Sequence, residues 1–94
     1  MSETNNIIDK LISQGYNHTN AKIVADELLK VSLLLKPYLK GWLNGIETDY
    51  TCYGYSIIGL MNTRRMTYPA ALLTIDWLIK EPEQAMKSIE KGVR

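Results

Sequence analysis

His18 and Cys52 are the only histidine and the only cysteine in this chain, and nucleophilic chemistry would need them together, with the imidazole drawing the proton from the thiol. No motif surrounds either residue. His18 lies in Tyr16–Asn17–His18–Thr19, which reads as turn and cap material before a helix, and Cys52 lies in the aromatic run Tyr50–Thr51–Cys52–Tyr53–Gly54. One cysteine allows neither an internal disulfide nor a thiol-clustered metal site, and the lone histidine has no carboxylate cluster beside it in sequence. Asp26, Glu27, Glu81 and Glu83 fall at helix surfaces or ends, where acids serve solubility and the helix dipole. Asp76 differs, because it interrupts an apolar helix; there it either bonds an aromatic or arginine partner in the core or lines a pocket. Gly41, Gly45, Gly54 and Gly59 do not fit a phosphate-cradling or dinucleotide spacing. The expectation is a non-enzyme with no metal and no cofactor.

Binding chemistry is better represented. The chain has no Phe but six Tyr and two Trp, and Tyr38, Trp42, Tyr50, Tyr53, Tyr55 and Tyr68 gather in its middle. Tyr and Trp bury apolar area while keeping a polar handle, which suits the outer layer of a core and also a partner-binding surface. Tyr50, Tyr53, Tyr55 and Trp42 are the candidate partner contacts. Arg64–Arg65 is the one local basic pair. The other cations are dispersed at helical spacings, and Lys+Arg 11 against Asp+Glu 10 leaves a formal charge of +1, so nothing in the overall charge recruits nucleic acid.

The elements that must position these residues are helices. Thr67 can cap a helix over residues 68–80, with Pro69 in the first turn where its missing N–H is not needed. Eight of the ten residues from Ala70 to Ile79 are apolar, so this helix is expected to be buried, with Leu73 and Trp77 sharing a buried face. Ile7, Ile8, Leu11 and Ile12 mark a first helix over about residues 5–14 that leaves through Gly15. Ala21, Val24, Leu28, Val31 and Leu35 predict one long second helix, and Pro37 predicts a kink or a fresh helix carrying Tyr38, Leu39, Trp42, Leu43 and Ile46. Glu47 to Gly54 reads as a loop with no convincing strand. Ser56 can cap a short helix, and Pro82 opens a last one carrying Ala85, Met86 and Ile89 that stops at Gly92. The fold class is therefore all-α: residues 1–94 as a single helical domain, a bundle of five or six short helices around the central apolar helix.

Two segments resemble known modules. Residues 56–79 follow the rhythm of a helix-turn-helix, a short helix, a tight connection and a capped second helix, which implies DNA contacts from Arg64, Arg65, Thr67 and Tyr68. The second helix nevertheless offers almost no polar or basic residues along a face. Leu11–Ile12–Ser13–Gln14–Gly15–Tyr16, with Ala21 and later Trp42–Leu43, resembles a ubiquitin-associated domain, which implies a ligand-binding loop at Gly15 and Tyr16. The long second helix expected here departs from that pattern, and the segment up to Trp42 is too long for it.

Met1 to Thr4 do not open a signal peptide, and no apolar run approaches a membrane span, so a cytoplasmic protein without membrane contact is expected. The leading functional expectation is a small interaction module, of the size common among bacterial or phage accessory proteins, that binds another protein or itself. The alternative is a helix-turn-helix-like DNA-binding regulator; nucleic acid is the less favoured partner.

Overall fold

The computed structural model describes residues 3–91, and among these six α-helices and one two-stranded hairpin share a single hydrophobic core. The expected helix stop at Gly92, and Met1 and Ser2 of the expected leaderless start, lie outside the described residues.

Helix α1, Glu3–Ser13, buries Ile7 and Leu11, one turn apart. Gly15 closes it with φ +105°, so that the Gly15 N–H reaches the Ile12 carbonyl at 3.1 Å and the Tyr16 N–H reaches the Leu11 carbonyl at 3.1 Å. This doubly bonded left-handed exit is the reason glycine stands there. Helix α2, His18–Leu29, starts at Asn17, whose side-chain oxygen accepts the Asn20 N–H at 2.8 Å. Ala21, Ala25 and Leu28 form its buried face.

The long second helix expected from the sequence is not there. The chain leaves α2 at Lys30, makes a 3₁₀ turn over Leu33–Leu35, and starts α3, Lys36–Leu43, with Pro37 in the first turn. Polar groups distant in sequence hold this break. The Ser32 N–H donates to Asp76 at 2.9 Å, while Lys36 and Lys80 donate to the Leu29 and Lys30 carbonyls at 2.6 and 3.0 Å. These lysines satisfy carbonyls that the broken helix would leave unpaired. The apolar period continued across the break because Val31, in the bend after α2, and Leu35, at the end of the 3₁₀ turn, are both buried.

A two-residue hairpin is the second departure from the sequence reading: β1, Thr51–Cys52, pairs antiparallel with β2, Tyr55–Ser56. Strands this short carry no readable alternation. Ser56 then caps α4, Ile57–Thr63, by accepting the Gly59 N–H at 2.9 Å.

Helix α5, Tyr68–Lys80, has the boundaries the sequence predicts and touches α2, α3, α4, α6 and β1. Ala71, Leu72, Ile75 and Leu78 are fully buried, and removing each large aliphatic side chain from water contributes about 1.5–3 kcal/mol. Leu73 and Trp77, expected to share a buried face, are only half-buried and pack at the margin of the core. Helix α6, Pro82–Lys91, lays Ala85 and Ile89 against α5.

Candidate functional site

The aromatic loop expected to bind a partner is well tethered. Asp49 accepts the Tyr50 N–H at 2.9 Å and the Ile58 N–H at 3.0 Å, which fixes the base of the hairpin to the first turn of α4. The Ile57 N–H reaches the Tyr50 carbonyl at 3.1 Å and extends the ladder beyond the Thr51–Ser56 and Cys52–Tyr55 pairs. The Tyr68 hydroxyl donates to the Thr48 carbonyl at 2.6 Å, and Tyr50 meets Tyr38 edge-on at 5.5 Å between ring centres.

These tethers separate the four candidate contacts. Trp42 is buried in the core with 1% of its surface exposed; the Lys10 ammonium lies 5.3 Å from its ring centre and its indole N–H has no partner. Trp42 therefore presents no surface to a partner in this conformation. Tyr50 and Tyr55 are half-buried and pack against the core. Tyr53 stands at the hairpin tip with 59% of its surface exposed. Its φ of +51°, followed by +83° at Gly54, is the pattern of the tight turn whose twist matches a hairpin, a turn that ordinarily selects Asn-Gly. An aromatic residue held there is strained by about 1–2 kcal/mol.

The residues of the DNA-binding alternative are also divided. Arg64 and Arg65 are exposed in the α4–α5 connection, Arg65 with φ +57°. Thr67 caps α5 through the Ala70 N–H at 3.3 Å and shares a hydrogen bond of 2.7 Å with the Tyr16 hydroxyl, while Tyr68 is buried. Two helices joined by a short turn are present, but from Tyr68 to Ile79 no side chain of α5 is exposed. Gly15 and Tyr16, the positions implied by the ubiquitin-associated resemblance, form the α1 exit and the tie to Thr67. The departure in helix length disappears, since α2 stops at Leu29.

His18 is exposed at the start of α2, whereas Cys52 is half-buried and desolvation pushes its thiol pKa up, which leaves less thiolate for nucleophilic attack. Among the described residues no group of three or more His, Cys, Asp or Glu could hold a metal ion. Asp76, expected to find an aromatic or arginine partner or to line a pocket, instead accepts the Ser32 N–H and pairs with Lys80 at 2.8 Å.

Sequence patterning missed one surface. In the run Leu33–Leu34–Leu35 only Leu35 turns inward; Leu33 is 84% and Leu34 51% exposed. Beside them Leu33, Lys36, Pro37, Leu39 and Lys40 line a groove of about 360 Å³. The available signal was Pro37, which breaks the helical period directly after three leucines and a lysine.

These features define a small, mostly helical globule with a few exposed large apolar side chains. Comparison with known protein families, with curated proteins and with solved structures finds no match to this chain. The helix-turn-helix and ubiquitin-associated likenesses therefore remain likenesses of short segments. Among the described residues no helix is long and apolar enough to cross a membrane.

Proposed function

We propose that this chain is a non-enzymatic interaction module that binds another protein through the hairpin tip, in a cytoplasmic setting consistent with its single cysteine. Tyr53 carries the reading. A large aromatic side chain is held in a strained left-handed conformation and turned toward solvent on a hairpin that Asp49, Thr48 and Tyr50 brace from below. Strain retained at an exposed position is what a contact residue produces, and a rigid aromatic loses little freedom on binding. The DNA-binding alternative has weaker support, since α5 lends no exposed face to a groove and Thr67 and Tyr68 are engaged within the fold.

Tyr53→Asn separates these readings. Asparagine tolerates positive φ, so the strain it relieves offsets the small amount of packing that a mostly exposed ring provides, and thermal stability should stay within about 1 kcal/mol of the parent. Binding partners captured by the parent chain should be lost by this variant. Duplex DNA should bind negligibly at physiological salt. Partner binding indifferent to Tyr53, or salt-sensitive DNA binding weakened by Arg64→Ala with Arg65→Ala, would overturn the proposal.

A further inference from the structure

A second face carries features that the hairpin does not explain. Leu33 and Leu34 project from the 3₁₀ turn between α2 and α3, and the groove beside them is lined by Leu33, Pro37 and the buried Leu39 together with Lys36 and Lys40. Lys30, Lys36 and Lys40 fall in this stretch, and from Leu28 to Ile46 the chain has no Asp or Glu. The acid that approaches from α5, Asp76, is already taken up by the Ser32 N–H and Lys80. Asp9 lies in the adjoining cleft between α1 and α3, where Lys10 and Lys40 are also present. The balance over residues 28–46 is cationic in a chain whose formal charge is only +1, with Asp26 and Glu27 in the last turn of α2 directly before this stretch.

The leucines are also held in place. Ser32, immediately before them, is fixed by Asp76; Lys36, immediately after Leu35, is fixed on the Leu29 carbonyl; and Lys80 fixes Lys30. One of the three ammonium protons of Lys36 serves that carbonyl, which leaves two for an external acceptor. An apolar anchor already rigid in its bound geometry loses little entropy on docking. Two lysines, Lys36 and Lys40, in the groove beside an apolar pair match a segment in which acidic residues flank an apolar one, and they repel a basic one.

We infer that the Leu33–Leu34 knuckle and its groove dock an acidic, apolar-anchored segment of a partner protein. The inference rests on the interaction-module reading but uses a different face, so the two can fail separately.

Selection from a displayed random-peptide library against the full chain tests it. Retained sequences should combine Asp or Glu with Leu, Phe or Trp. A synthetic copy of the best of them should bind at least about tenfold more weakly to Leu33→Ser and to Lys40→Glu, should tolerate Lys40→Arg, and should weaken as salt rises. Leu33 and Lys40 are both exposed, so these variants should keep the parental circular dichroism spectrum. Four outcomes overturn the inference: no retained peptide, retained peptides without acidic enrichment, affinity indifferent to Leu33→Ser, or Leu33-dependent activity directed elsewhere. The last would appear as sedimentation of the chain as a dimer, or as co-flotation with phosphatidylcholine–phosphatidylserine vesicles. Partner binding lost in Tyr53→Asn but retained in Leu33→Ser and Lys40→Glu would remove this face and leave the hairpin reading standing.

Discussion

Replacing Asp76 tests how the break between α2 and α3 is held. The Asp76 side chain is 10% exposed; its carboxylate accepts the Ser32 N–H at 2.9 Å and pairs at 2.8 Å with Lys80, which also reaches the Lys30 carbonyl. A hydrogen bond to an ionised acceptor contributes about 1.5–3 kcal/mol net. The ion pair adds less, about 0–1 kcal/mol, because the Lys80 side chain is 48% exposed and water screens it. Alanine recovers about 0.5 kcal/mol of helix propensity in α5. Asp76→Ala should therefore destabilise by about 2–3 kcal/mol, which for a domain of this size lowers Tm by about 10–20 °C. Asp76→Asn keeps an acceptor for Ser32 and should cost about 1 kcal/mol, and Lys80→Ala should cost less than about 1 kcal/mol. Thermal melts followed by circular dichroism give the order, and hydrogen exchange should show the Ser32 amide losing protection first in Asp76→Ala. A near-neutral Asp76→Ala, or a Lys80→Ala as damaging as Asp76→Ala, would refute the claim that the carboxylate holds the break mainly through Ser32.

Two further outcomes follow from local geometry. Burial, with Glu47 next in effect, pushes the Tyr68 pKa up from 10 to about 12, so its neutral form is favoured in the folded chain. The unfolded chain gives up this proton first, and the stability it contributes is present below pH 10 and is lost as pH rises through about 12. Ultraviolet titration should show one of the six tyrosines ionising late, a step absent from Tyr68→Phe, which should also lose about 1 kcal/mol with the bond to Thr48. Gly59→Ala would ordinarily favour a helix, but the added Cβ would meet the Ser56 hydroxyl oxygen at 2.7 Å and displace the cap of α4. A melt should find this variant no more stable than the parent, whereas a gain of about 1 kcal/mol would mean that the cap yields at no cost.

Helix ends and the central helix were legible from the residues alone. Thr67 with Pro69, Ser56, Asn17 and Gly15 mark helix ends through their own backbone and side-chain chemistry, and each does so in the structure. The apolar density of residues 70–79 likewise required a central helix, since no surface helix can hide so many apolar residues. The end of α2 could not be read locally, because its apolar period runs on through Val31 and Leu35. The break depends on Asp76 and Lys80, which lie far along the chain. Burial of the aromatics was decided in the same way. Trp42, Tyr50, Tyr53 and Tyr55 are alike in type, but Trp42 is in the core on α3, which packs against α1 and α5, whereas the hairpin fixed by Asp49 and by the Tyr68 bond to Thr48 leaves Tyr50 and Tyr55 at the margin and Tyr53 in solvent. The exposure of Leu33 and Leu34 has the same origin: three consecutive leucines on a 3₁₀ turn point in different directions, and only the inward one finds a core.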